Sequence, residues 1–482
     1  MWRFNEDLLF LIFEKLKNDK KSLYSCLLVN RTWCVTAVPI LWRNPDQFCV
    51  SNNSKNVLLY NVILLHLSEE SREILKNQGM DNLITETTYH RPLFNYMSFW
   101  KYLILHILED IISLKMIEKS NASILRNEIL KLFINKNTKL IQLSIPRYFD
   151  SQLHLIPEAE CCLSELEIFN CDIKIDQNIL KGLAKICKSI KKITLYVTSY
   201  DSTDNYGIFN LIEVQKNLNE FYLFNNIFPK HEQFYKTLEE SLIKHADTVQ
   251  HLRIGWNPNT RFLSFFVNLV YLEIQKLKFI NWYDPIANNS KNLSLPNLKI
   301  LKVYYIPLIT TVNLIENTTG NLSEISIHCD NDTYYVDYKI LIQTIYQNCP
   351  NIRYLKLSLD RNLSIPEFEN LLINCQFLNG LIINVCKDYE FSWDKLFQVL
   401  AKSSPISLFK FKFYSKVFKL KDIESFFSSW KNRNPILLRI NDSRIKVDQK
   451  LVNLTEEYKA KGVIKKYSFG YGMDLIEDFE WI

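Results

Sequence analysis

From residue 139 onward the chain repeats one spacing, apolar-x-x-apolar-x-apolar. It reads Leu140/Leu143/Ile145, Leu163/Leu166/Ile168, Ile190/Ile193/Leu195, Leu218/Phe221/Leu223 and Val249/Leu252/Ile254. It continues as Leu269/Leu272/Ile274, Leu298/Leu301/Val303, Leu322/Ile325/Ile327, Ile352/Leu355/Leu357 and Leu378/Leu381/Ile383. Weaker copies follow at Leu408/Phe411/Phe413 and Ile464/Tyr467/Phe469, with a degenerate one near Leu438/Ile440. Apolar positions two apart mark a strand with one side turned inward. Between these strands, residues 232–244, 337–347, 366–374 and 393–402 space their apolar residues as helices do.

The mean period is about 27 residues, inside the ~20–29 range of leucine-rich repeats. Four units place Cys171, Asn226, Asn257 or Cys386 three positions after the last anchor, where this repeat uses Asn or Cys to bond along the turn. Strand then helix at a steady period predicts an α/β solenoid, with a parallel sheet on the concave side and helices on the convex side. Leu166, Leu195, Leu252, Leu272, Leu301, Leu355 and Leu381 are expected in one continuous core.

Two other regions precede the repeats. Residues 49–135 read as a connector of amphipathic helices: over 101–117, Leu103, Ile104, Ile107, Leu108, Ile111 and Ile112 line one face, and 122–133 repeats the pattern. Residues 1–48 read as three short helices. Asn5 is a candidate N-cap with Glu6 and Asp7 in the first turn, 18–20 break the first helix, 22–29 form a second, and 31–38 a third that Pro39 stops. The first helix carries six apolar residues in a row, Leu8 to Phe13, which wrap its whole circumference. So small a unit cannot cover all of them, and part of that surface needs a partner.

Composition narrows the function. Glycine numbers nine in 482, about 2% against a typical ~7%, which counts against glycine-built phosphate loops. Eleven cysteines without any Cys-x-x-Cys, no basic signal flank and no long apolar run suggest free thiols in the cytoplasm or nucleus, with no membrane segment. The net charge of +6 and basic runs of only two residues do not call for nucleic acid. No P-loop, Gly-x-Ser-x-Gly or His-Glu-x-x-His is present, and Gly470-Tyr471-Gly472 lacks a third glycine. His154, Cys161, Cys162 and Cys171 are the densest metal-like group but lack zinc spacing. Cys187, Cys349 and Cys375, each three residues before a first anchor, and Cys161, two before one, suit buried filler at the helix-to-strand crossing. No catalytic residue, cofactor or metal is expected.

At the N-terminus the residues become specific. Phe4-Asn5-Glu6-Asp7-Leu8-Leu9, Ile12-Phe13, Leu16, Leu23, Cys26-Leu27-Leu28-Val29-Asn30-Arg31-Thr32-Trp33 and Val38-Pro39-Ile40-Leu41-Trp42 resemble an F-box. The family usually opens Leu-Pro where this chain has Phe4-Asn5. With repeats following, the chain resembles the F-box proteins with leucine-rich repeats of expanded fungal families. The resemblance implies an F-box over 1–48, a connector over 49–135 and a repeat solenoid over 136–482. It implies a non-catalytic substrate receptor of a Skp/cullin/F-box ubiquitin ligase. The Skp-type adaptor, and through it the cullin, would be met at Leu8, Leu9, Ile12, Phe13, Leu28, Pro39 and Leu41. The other reading is a repeat scaffold whose N-terminal helices only cap the solenoid.

A protein substrate would then meet the strand residues that alternate with the anchors. Tyr222, Arg253, Tyr271, Lys302, Tyr304, Tyr354, Lys356 and Lys412 combine aromatic area with polar ends, as binding hot spots do. The row turns from acidic at Glu165, Glu167 and Glu220 to basic at Lys410 and Lys412, which suggests a partner charged in the opposite order.

Overall fold

The structure is a computed structural model. It describes residues 6–44, 53–85, 92–114, 119–198, 206–225, 232–256, 258, 261–275, 293–328, 338–359, 363–385, 391–414, 419–431, 433–442 and 449–471. The chain forms two compact units, Met1–Glu220 and Phe221–Ile482.

The first unit opens with helices α1 (Glu6–Lys15), α2 (Lys20–Leu27) and α3 (Arg31–Leu41). Asp19 caps α2, its carboxylate accepting from the Ser22 amide at 3.2 Å and the Ser22 hydroxyl at 2.7 Å, so that helix starts earlier than its apolar pattern suggests. Asn30 caps α3 by accepting from the Trp33 amide at 2.9 Å. Asn5 lies outside the described residues. Pro39 does not end α3, contrary to expectation. It forfeits the bond to the Val35 carbonyl, but Ala37, Val38, Ile40 and Leu41 are all buried, and that packing holds the last turn.

Residues 101–117 also depart from their periodicity. Strand β1 (Tyr102–Ile104) comes first, and only then a helix, Leu105–Leu114. Leu103 pairs in register with Leu143 of β2 (Gln142–Ile145), and both are buried. A neighbouring strand with free backbone groups overrides local helix preference. Strands β3 (Ile168–Asp172) and β4 (Lys192–Val197) follow, each parallel to the last.

The β2–β3 register corrects one repeat. Leu143 faces Phe169 and Ile145 faces Cys171, so the second unit is Leu166/Phe169/Cys171 and not Leu163/Leu166/Ile168. Both readings contain apolar residues at the required spacing, and only pairing separates them. Cys171 is therefore a buried strand residue, not a turn ligand. Asn226, Asn257 and Cys386 lie outside the described residues.

Strand β5 (Glu220–Asn225) spans the division between the units. The second unit then holds β6 (His251–Ile254), β7 (Tyr271–Gln275), β8 (Ile300–Tyr304), β9 (Glu324–His328), β10 (Tyr354–Leu359), β11 (Gly380–Val385), β12 (Lys410–Tyr414), β13 (Ile436–Asp442) and β14 (Ile464–Tyr471). Strand order follows chain order, and every described pairing is parallel. The helices Glu232–Ile243, Tyr338–Asn348, Ile365–Asn374 and Trp393–Ser403 fall where the spacing placed them. This is the α/β leucine-rich-repeat fold. Leu252, Leu272, Leu301, Leu355 and Leu381 here, and Leu166 and Leu195 in the first unit, have no exposed surface. Each leucine so buried contributes about 1.5–3 kcal/mol.

Candidate interaction surfaces

Helices α1–α3 form a small core of Leu9, Phe13, Leu23, Cys26, Ala37, Ile40 and Leu41, with Trp33 set edge-on to Phe13 at 5.3 Å. Leu9 and Phe13, four apart, supply the whole inward stripe of α1. The other four members of its apolar run point out: Leu8, Phe10, Leu11 and Ile12 are 46, 40, 62 and 41% exposed. At the end of α2, Leu28 is 89% and Val29 54% exposed. Of the residues expected to meet an adaptor, Leu8, Ile12 and Leu28 are thus accessible, Pro39 is half-buried, and Leu9, Phe13 and Leu41 hold the helices together. An Arg43–Glu14 ion pair ties α1 to the end of α3, and Trp42 packs on Tyr96 at 4.3 Å, so the helices are braced from behind.

In the second unit the residues that alternate with the anchors form rows across the strands. One row runs Arg253, Glu273, Lys302, Ser326, Lys356, Ile382, Lys412, Arg439 in successive pairing registers. Arg253, Lys302, Tyr304, Lys356 and Lys412 are buried, while Tyr222, Tyr271 and Tyr354 are half-buried. Arg253 ion-pairs with Glu273 at 2.9 Å, donates to Gln275 and lies 3.8 Å over the Phe224 ring. The Tyr271 hydroxyl donates to the other Glu273 oxygen at 2.5 Å. Burial, reinforced by that carboxylate, pushes the Tyr271 phenol far above its usual range. Lys302 lies 3.6 Å from Glu324 and 5.5 Å from the Tyr271 ring centre. Lys410 sits 5.4 Å over the Tyr354 ring. On β6–β9, Arg253, Glu273, Tyr271, Lys302 and Glu324 form one packed polar network, in which neighbours in the sheet answer each other's charge.

The acidic end of the supposed charge gradient is also answered locally. In the first unit Glu165 pairs with Lys139 at 2.8 Å, Glu167 with Lys191 at 2.7 Å and Glu220 with Lys192 at 2.9 Å. Exposed pairs of this kind contribute little stability, but each of these three carboxylates has a lysine against it.

No family model matches the chain, and no curated protein does. Solved structures do. The leucine-rich repeat-containing protein LegL7 from Legionella pneumophila is 12% identical over 66% of this chain and 98% of that one, with a TM-score of 0.37. A chain of the Rad7 and Elc1 complex in yeast is 12% identical over 85% and 90%, with a TM-score of 0.40. A chain of the TLR13–ssRNA13 complex is 13% identical over 71% of this chain and 40% of that one, at 0.29. Similarity this low speaks to neither activity nor partner.

Reading the residues one repeat at a time missed what the rows bring together. His328, Ser358 and Asn384 come from three adjacent strands, with Ser358 Oγ 2.6 Å from His328 Nδ1 and Asn384 Nδ2 3.4 Å from both. All three are buried, so the cluster is a polar seam and not an accessible nucleophile. The signal existed: residues at the same repeat position become strand neighbours ~4.8 Å apart. The Arg253–Glu273 pair could have been read the same way.

The cysteines follow the repeat phase. Cys187, Cys349 and Cys375 have no exposed surface, and burial pushes each thiol up to about 12. Their amides close the preceding helices, on Leu183, Ile345 and Leu371, at 2.7–2.9 Å. Cys161 is only half-buried: with Leu166 as the first anchor, the filler place three residues before it falls to Leu163, which has no exposed surface. The neighbouring Cys162 is buried as well, and burial pushes its thiol up to about 11. Among the described residues no His/Cys/Asp/Glu group could hold a metal, and no helix is long and apolar enough to cross a membrane.

Proposed function

We propose that this chain is the substrate-binding subunit of a Skp/cullin/F-box ubiquitin ligase, acting without catalysis of its own. The N-terminal helices would dock on the Skp-type adaptor and the repeat strands would hold a protein substrate. The observation that supports this most is the division of labour in α1. Two of its six consecutive apolar residues complete the three-helix core, and the other four are left facing solvent together with Leu28 and Val29. Leu8, Leu11 and Ile12 are spaced as one helical face, the form an apolar docking stripe takes. A cap that served only its own repeats would turn that stripe inward.

The test uses the full chain. Leu11→Asp with Ile12→Asp puts charge on the outward face only, so the melting transition should be unchanged while capture of a purified Skp-type adaptor falls at least 100-fold. A fully desolvated carboxylate at an interface costs several kcal/mol, which sets that size. Capture at the unsubstituted strength by a folded double variant refutes the proposal and favours the capping reading.

A further inference from the structure

Between β2 and β3 the chain makes a detour over residues 146–158, which ends at the helix Ala159–Leu163. Tyr148 and Glu158 bracket it with φ of 63° and 66°, left-handed values that such residues hold only where their surroundings enforce them. Here they are enforced. Phe149 and Leu153 are buried, the Gln152 carboxamide donates to Asp176 at 2.6 Å, and Arg126 donates to Asp150 Oδ1 at 2.9 Å. Together with the helix Lys119–Phe133, this braced segment lines an open cavity of about 520 Å3, within the ~300–1,000 Å3 range of binding sites.

The lining is built and only partly used. On the helix side Glu128, 5% exposed, accepts from the Ser71 hydroxyl at 2.7 Å and the Lys131 ammonium at 2.6 Å. On the other side Ser151 is 8% exposed, and its hydroxyl makes no hydrogen bond among the described residues. A hydroxyl so nearly buried needs a partner, and the cavity is where one can reach it. The Asn127 carboxamide and Asp150 Oδ2 are likewise left open.

These groups define what fits. A serine hydroxyl and a carboxamide each donate and accept, as a peptide backbone requires. Leu155, 71% exposed, and Ile156 give one side of the cavity an apolar surface. The ammonium of Lys131 is already held by Glu128, so the open charge is the Asp150 carboxylate. Residues 148–160 add Glu158 and Glu160 and contain no Lys or Arg, while Arg147 just before them lies over the Tyr148 ring at 4.4 Å. A phosphate would therefore meet carboxylates, and a cation would be welcomed. Among the described residues no aromatic ring lines the cavity to stack a base.

We propose that this cavity binds an extended peptide segment of a partner protein, one that places a Lys or Arg beside an apolar side chain. The cation would meet Asp150, the apolar side chain would lie on Leu155 and Ile156, and the backbone would bond Ser151 and Asn127. The site is separate from the strand residues of the repeats, and it stands whether or not the N-terminal helices bind an adaptor.

The test offers the full chain fluorescent hexapeptide pools, each with one pair of residues fixed at the centre and the other four positions degenerate. Pools pairing Lys or Arg with Leu, Ile or Phe should bind saturably, at least ten-fold more tightly than pools pairing Asp or Glu with the same residues. That difference should shrink as salt is raised. Leu155→Glu changes an exposed side chain, so the melting transition should stay while binding of the selected pools falls at least ten-fold. Asp150→Asn should keep the apolar preference and lose the preference for Lys and Arg. No saturable binding, equal binding of basic and acidic pools, or preference for the acidic ones overturns the proposal. Undiminished binding to a folded Leu155→Glu chain overturns it too, because the peptide then sits elsewhere. If Leu155→Glu lowers the melting temperature, Asp150→Asn decides, and an unchanged preference for Lys and Arg refutes the site.

Discussion

Glu273→Ala isolates what the polar network contributes. Glu273 and Arg253 retain 5% and 7% side-chain exposure and meet at 2.9 Å. With charge centres ~4 Å apart and an effective dielectric of about 20, their attraction is about 4 kcal/mol. The attraction is offset by the cost of desolvating both groups, so the pair as a whole stabilises little, whereas removing one member strands the other. Glu273→Ala leaves Arg253 with Gln275 and the Phe224 ring, and takes the acceptor from the Tyr271 hydroxyl. The expected loss is about 3–5 kcal/mol, lowering the melting temperature of a unit this size by on the order of 10 °C. Arg253→Met with Glu273→Leu should recover at least half of that, because neither charge is then buried. Thermal melts of the single and double variants give the comparison. A single variant losing under about 1 kcal/mol would mean that water reaches the pair. A double variant as unstable as the single would locate the effect in packing instead.

Two other outcomes follow from buried groups. Cys187, Cys349 and Cys375, raised to about 12, should resist iodoacetamide at pH 8, where about one in ten thousand is thiolate, while half-buried Cys34 and Cys161 react first, as mass spectrometry of the native protein will read. Since unfolding restores the ordinary thiol pKa near 9, their contribution to stability is complete below that pH and declines as pH rises towards 12. Cys375→Ala should therefore flatten the fall in melting temperature over that window. Gly182→Ala would set a methyl 2.1 Å from His154 Nδ1, a close approach only glycine permits, and should cost about 1–3 kcal/mol by melting. His154→Ala in the same chain should restore most of it; failure to do so would mean that the backbone, and not the ring, sets the cost.

The recurrent spacing carried the parallel α/β repeat, its leucine core and four helices within a residue or two, because a strand and a helix of fixed length must each bury one side every ~27 residues. The same density of Ile and Leu blurred phase. Leu163, Leu166, Ile168, Phe169 and Cys171 satisfy the spacing twice, and only the hydrogen-bonded register with β2 selects Leu166/Phe169/Cys171. Residues 102–104 failed for a related reason: periodicity sees one segment, whereas β1 exists because β2 offers it backbone partners.

The candidate surfaces divide along the same line. That α1 carries more apolar residues than three short helices can cover is a matter of counting, and the sequence alone determined it. Which of them face out is not, because Leu9 and Phe13 are chosen by the positions of Leu23, Cys26 and Ile40 in other helices. Alternation along a strand likewise settled which side Arg253, Lys302, Lys356 and Lys412 occupy. Only the tertiary structure decided that they are buried, since exposure depends on what lies above the sheet and on the charge of neighbours ~4.8 Å away in other repeats. Spacing within a segment is a local property of the chain, while burial and charge compensation are made by residues far apart in sequence.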